Sequence, residues 1–164
     1  MGKISVAILT ISDKGFKGKR EDLSMPAIKD FLKKFKQYIV VYTSIVPDEK
    51  EIIVKEFNTL IKSKINLILT TGGTGFSVRD VTPEATKKVI EKEAPGIAET
   101  MRISSMKYTN RACLSRGICG IKNNTVILNL PGSPKACVEN LDSVIEPLTH
   151  GIETLLGSAK ECAR

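Results

Sequence analysis

The chain has 164 residues, 41% of them hydrophobic, which fits one folded domain over residues 1–164 and excludes a disordered chain. Twenty-five Lys and Arg against 18 Asp and Glu give a net charge of +7, favouring small anionic ligands. With 5% aromatic residues and no Trp, the stacking platforms of single-strand nucleic-acid binders are not supplied, and no apolar run nears the roughly 18 residues of a membrane span.

Ile4 to Ile11 is a near-continuous apolar run, predicting a buried strand of parallel type. Because it begins directly after Met1-Gly2-Lys3, a signal peptide is not expected, and the reading is cytoplasmic. A Gly- and Lys-rich loop follows from Asp13 to Arg20. Ile28, Phe31, Leu32 and Phe35 then recur at the spacing of one helical face. Tyr38 to Val46 predicts a second strand, Ile53, Phe57, Leu60 and Ile61 a second helix, and Leu67 to Leu69 a third strand. This βαβαβ alternation predicts a parallel sheet with helices on both faces.

Beyond the glycine run Gly72-Gly73-Thr74-Gly75, Thr82 is expected to cap a helix with Pro83 as its first residue. Pro95-Gly96 breaks the chain before another helical stretch through Met101. The segments 117–121 and 125–130 predict an antiparallel strand pair joined at Lys122-Asn123-Asn124. After the forced turn Pro131-Gly132-Ser133-Pro134, Cys137, Leu141, Leu148 and Ile152 mark a long final helix.

In open α/β sheets ligands bind beyond the carboxyl ends of the strands. Ser12-Asp13, Asp48, the Gly72–Asp80 loop, Pro131-Gly132 and Leu114-Ser115-Arg116 are all expected on that rim. The glycine run suits close backbone approach to a phosphate or, alternatively, a tight turn with positive φ. Asp48 and Asp80 are candidate magnesium carboxylates, since that ion takes one or two carboxylates and completes its shell with water and substrate phosphate. Taken singly, Asp48 reads better as a helix cap with Glu51 three residues on, and Asp80 as a turn residue; their shared place at strand ends raises the metal reading. Arg79, Arg102 and Arg116 are possible phosphate binders or solvated charges. One histidine, His150, excludes multi-histidine zinc sites and argues against a serine–histidine triad. Cys113, Cys119, Cys137 and Cys162 form no C-x-x-C pair and read as buried reduced thiols.

Taken together, Thr10-Ile11-Ser12-Asp13, Val46-Pro47-Asp48, Thr70-Thr71-Gly72-Gly73-Thr74-Gly75 and Arg79-Asp80-Val81-Thr82-Pro83-Glu84 form a distinctive set. With Pro95-Gly96-Ile97-Ala98-Glu99-Thr100, Leu114-Ser115-Arg116 and Asn129-Leu130-Pro131-Gly132-Ser133-Pro134, the chain resembles the molybdopterin adenylyltransferases of molybdenum-cofactor synthesis. The resemblance spans nearly the whole chain. It implies a three-layer α/β/α fold, mostly parallel with one antiparallel edge pair, and a homotrimer. It also implies Mg-ATP-dependent transfer of AMP to the terminal phosphate of molybdopterin, with pyrophosphate released and the product passed to a molybdate-inserting partner protein.

By the same resemblance Asp48 and Asp80 are the catalytic, magnesium-holding pair. Ser12, Asp13, Gly72, Gly73, Thr74 and Gly75 are implied on the nucleotide side. Ser105, Ser115, Arg116, Asn129, Pro131 and Gly132 are implied on the molybdopterin side. Met25 after Ser24, and Asn110 where the family commonly has proline, are departures. A sister-group molybdopterin-binding protein and a non-catalytic trimeric scaffold are the alternative readings, and neither nucleic acid nor membrane is expected as a partner.

Overall fold

The computed structural model describes residues 2–158. In chain order the elements are β1 (Ile4–Ile11), α1 (Asp13–Phe16), α2 (Ser24–Leu32), β2 (Tyr38–Val46), α3 (Lys50–Lys62), β3 (Leu67–Thr71) and α4 (Thr82–Val89). They continue with β4 (Lys92–Glu93), α5 (Pro95–Ser105), a 3-10 turn (Asn110–Leu114), β5 (Cys119–Lys122), β6 (Thr125–Leu130) and α6 (Pro134–Leu155). The six strands form one sheet in the order β2-β1-β3-β6-β5-β4. β1 runs parallel to β2 and β3, and β3 parallel to β6. The expected antiparallel pair is β5 with β6, and the two-residue β4 adds an antiparallel strand beyond it.

Strand alternation divides the core into two layers. Ile4, Val6 and Ile8 point with α2, α5 and α6 into one cluster, where Ile28, Met101 and Leu141 meet them. Ala7, Leu9 and Ile11 point the other way, into a cluster with Ile53 and Phe57 of α3 and Ala85 of α4. The result is the three-layer α/β/α architecture. Phe57 is wholly buried, and its truncation to Ala would cost about 3–5 kcal/mol.

Several local expectations change. One turn of helix, α1, replaces the start of the predicted loop because the Ser12 hydroxyl accepts the Gly15 N–H at 3.0 Å. α2 ends at Leu32, so Phe35 packs from the following turn instead of the helix. Thr82 is the first helical residue of α4, not its cap: its hydroxyl donates to Gly72 O at 3.0 Å and its own N–H to Gly73 O at 3.1 Å. Asp48 does not cap α3 either, since Glu49 occupies that position without a side-chain bond.

Register positions the functional rim. Thr10 lies opposite Thr71, Thr71 opposite Leu130, and Ile11 opposite Val46. The segments that leave these strand ends (Ser12-Asp13, Pro47-Asp48, Gly72-Gly73 and Pro131-Gly132) therefore emerge side by side at one edge.

Candidate functional site

Two cavities of about 290 Å³ each open on this edge. The first is lined by Ser12, Arg20, Asp48, Gly72, Gly73 and Asp80, among others, and the second by Thr74, Gly75, Arg102, Ser105, Ser115 and Pro131. The glycine run thus divides between them, two residues facing each. Pro131-Gly132 divides in the same way, Gly132 lining the first cavity.

The dividing loop needs its glycines. Gly72 has φ +97° and Gly73 φ +64°, where L side chains are strained. A Cβ on Gly72 would meet Ile11 O at 2.4 Å, and one on Gly73 would lie 2.3 Å from Thr82 Oγ1 and 3.2 Å from Asp48 Oδ1. Gly132 passes so close that its Cβ would sit 3.5 Å from Gly72 Cα, and Ser24 fixes that turn by donating to Gly132 O at 2.8 Å. Met25, the first family departure, packs against the core beside Ser24 and leaves this contact intact. Asn110, the second, opens the 3-10 turn capped by Thr109.

Carboxylates gather at the first cavity. The Asp13 N–H donates to Asp48 Oδ2 at 2.8 Å, and the Asp48 N–H returns the bond to Asp13 Oδ1 at 3.1 Å. Arg79 donates twice to Asp13 through Nε and Nη2, and once to Glu49 at 2.8 Å. Its guanidinium is therefore engaged in an exposed ion-pair cluster. Burial, then the nearby Asp13 and Asp80 charges, push the Asp48 carboxyl above its ordinary range, against the Asp13 N–H and Arg79, which pull it down. Asp80 Oδ2 accepts the Ser77 N–H at 3.0 Å, so the turn role and a place on the cavity wall coexist in one side chain.

Among the described residues no group of three or more His, Cys, Asp or Glu is placed to hold a metal ion. Asp48 and Asp80 alone offer a two-carboxylate donor set, which suits a cation completed by water and substrate phosphates and not an all-protein cage.

The second cavity is different in kind. Tyr108 and Leu114 are exposed there and supply apolar surface, while Ser105, Ser115 and Asn140 supply polar groups. Asn140 donates to Ser105 Oγ at 2.9 Å and so orients that hydroxyl. Arg102 reaches the same wall, donating to Gly117 O at 2.9 Å.

Three residues expected on the molybdopterin side do not face this cavity: Gly132, which lines the first, and Asn129 and Arg116. Asn129 is buried in the sheet, where its amide donates to Thr70 and Thr86 at 3.1 and 3.0 Å and accepts the Ile118 N–H. Arg116 turns its guanidinium back onto the loop, donating to Gly75 O and Asp80 O at 2.7 Å and pairing with Glu84. Burial raises the Glu84 carboxyl, but the Arg116 hydrogen bond and charge prevail and hold it below its ordinary value.

Sequence reasoning also missed Asp22. It accepts the Thr10 hydroxyl at 2.5 Å and the N–H groups of Ser24 and Met25, fixing the start of α2 beside the first cavity. An acid two residues ahead of a helix-starting serine was the available signal. Cys119 and Cys137 are buried, their thiols pushed by burial up to about 12 and about 11, whereas Cys113 is exposed, against expectation. Cys162 lies outside the described residues. His150 is an exposed residue of α6, away from both cavities. No helix among the described residues is long and apolar enough to cross a membrane.

Residues 7–151 match a protein family described as a probable molybdopterin binding domain. The chain is 41% identical over 160 residues to a molybdopterin adenylyltransferase of Helicobacter pylori, covering 96% of this chain and 91% of that protein. It is 43% identical over 156 residues to the molybdenum cofactor synthesis protein cinnamon of Drosophila melanogaster, covering 94% of this chain but only 26% of that much longer protein. The crystal structure of a molybdopterin biosynthesis enzyme, MoaB, from Thermus thermophilus superposes with a TM-score of 0.89 at 43% identity, covering 94% of this chain and 97% of that one.

Proposed function

The chain belongs to the molybdopterin-binding family of molybdenum-cofactor synthesis, and from that premise we propose that its rim joins a nucleotide to molybdopterin across the glycine loop. The protein is an enzyme, a nucleotidyltransferase that adenylylates molybdopterin. One observation supports the division of labour most strongly. Residues 72–73 line one cavity and the adjoining residues 74–75 the other, and the carboxylates Asp48 and Asp80 line only the first.

ATP occupies the first cavity, with Ser12, Gly72 and Gly73 against its phosphates and Asp13 holding Asp48 in place. Molybdopterin occupies the second, with Ser105 and Ser115 against its polar edge and Tyr108 and Leu114 against its ring. A terminal phosphate oxygen of molybdopterin forms the new bond to the α-phosphorus of ATP. The bond to the β-phosphate breaks, and pyrophosphate leaves with the electron pair. The attacking oxygen is already anionic, so no strong base is needed, in keeping with a site that contains no histidine. Asp48 and Asp80 would hold magnesium, which supplies charge neutralisation on the phosphates. The protein's own contribution is to bring two anions together in fixed geometry.

The enzyme acts in the cytoplasm as a homotrimer in which each chain forms one domain, and hands its adenylylated product to a molybdate-inserting protein. Mass spectrometry of molybdopterin after incubation with Mg-ATP tests the reaction. The expected product carries one added AMP, and unmodified molybdopterin would contradict the proposal. Light scattering tests the assembly: three chain masses are expected, and a monomer would contradict the trimer.

A further inference from the structure

Arg116 follows Ser115, which lines the second cavity, and its own side chain is committed to Gly75 on that cavity's wall and to Asp80 on the wall of the first. Its backbone N–H donates to Thr74 O at 2.9 Å. Nε donates to Gly75 O at 2.7 Å, and Nη2 to Asp80 O at 2.7 Å. Nη1 pairs with Glu84 in the first turn of α4, so the cation is anchored from behind. Three loop carbonyls are thus tied to the residue next to Ser115.

We propose that Arg116, braced by Glu84, is a positioning residue that sets the distance between the two cavities by clamping residues 74–80. This inference rests on the adenylyl-transfer reading. A planar guanidinium presents donors in a fixed fork, so one side chain can meet Gly75 O, Asp80 O and the Glu84 carboxylate together. A lysine ammonium is a single point and cannot meet all three. Each substrate contacts its own cavity wall, so loss of the clamp leaves separate binding intact and misplaces the reacting phosphate relative to the α-phosphorus. A displacement of about 1 Å suffices for a loss of about 100-fold in turnover.

The test compares wild type with Arg116→Lys, and with Glu84→Gln as a milder variant that keeps every backbone contact. In Arg116→Lys, kcat is expected to fall about 100-fold while the separate dissociation constants of ATP and molybdopterin stay within about threefold. Hydrogen–deuterium exchange should accelerate in residues 74–80 and not in β1 or β3. Glu84→Gln should show the same pattern to a smaller extent. Retained kcat, or unchanged loop exchange, would overturn the clamp. Weakened molybdopterin binding with kcat preserved would overturn it in favour of a direct ligand. If wild type itself releases no pyrophosphate, the adenylyl-transfer reading fails, and loop exchange in the two variants alone decides the clamp.

Discussion

Asp13 and Asp48 hold each other in a reciprocal pair, each backbone N–H donating to the other's carboxylate, at 2.8 and 3.1 Å. The pair ties the segment after β1 to the segment after β2 and leaves Asp48 Oδ1 facing Gly73. Asp13→Ala removes one of these bonds and leaves Arg79 paired with Glu49 alone. Loss of the hydrogen bond alone is expected to cost about 1 kcal/mol, lowering the melting temperature by about 2–4 °C. Thermal unfolding checks this, and an unchanged midpoint would contradict it. Asp48→Asn keeps an oxygen acceptor for the Asp13 N–H and removes the half-buried charge. That variant should lose turnover while unfolding at or above the wild-type temperature at neutral pH.

The raised Asp48 carboxyl has a pH signature. The folded chain holds this proton more firmly than the unfolded chain does. The group therefore stabilises the fold below its unfolded value, and that contribution is lost as pH rises through the higher folded value. If the ionised form serves the reaction, the acid limb of kcat/KM should lie above the ordinary aspartate value of about 3.9. Arg79 pulls the Asp48 carboxyl down, so Arg79→Gln should move that limb to higher pH. A limb that stays put or moves down would refute the assignment.

Gly18 and Gly73 separate backbone strain from steric crowding. Both have positive φ, +67° and +64°, but a Cβ on Gly18 meets nothing within 4 Å. Gly18→Ala is expected to cost about 1 kcal/mol, while Gly73→Ala adds a clash with Thr82 Oγ1 and should cost at least about twice as much. Urea unfolding of the two variants compares them directly. Equal costs would mean that the Thr82 contact is not restrictive.

Much of this architecture is legible before any coordinates. β1 is a near-continuous apolar run because both its faces are covered, and α3 and α6 announce themselves by periodicity. α1 is hidden because it is a single turn containing Gly15, held by one serine bond. β4 is two exposed residues with no pattern to read. The candidate rim is legible as a set of strand-end segments, since position along a strand is a one-dimensional property. Side-chain direction is not. Thr82 looks like a cap but finds a better acceptor in Gly72 O, and Arg116 and Asn129 look like ligands but are spent on Glu84, Thr70 and Thr86. Those partners lie 32 to 59 residues away along the chain, beyond the reach of any local pattern.

Asn129→Ala tests the inward role of that amide. The change strands the Ile118 N–H and the Thr70 hydroxyl in the sheet interior and removes one bond to the Thr86 hydroxyl, which still donates to Thr82 O. A cost of about 2–3 kcal/mol is expected, without a selective loss of molybdopterin affinity. Stability near wild type, with molybdopterin binding weakened, would instead mark Asn129 as a ligand.

Pyrophosphate release from Mg-ATP, measured with and without molybdopterin in wild type and Asp80→Asn, tests adenylyl transfer across the glycine loop most directly. Release is expected only when molybdopterin is present, and should fall at least about 100-fold in the variant while its fold is retained. Release at a wild-type rate in Asp80→Asn, or none from a folded wild-type protein, would contradict it.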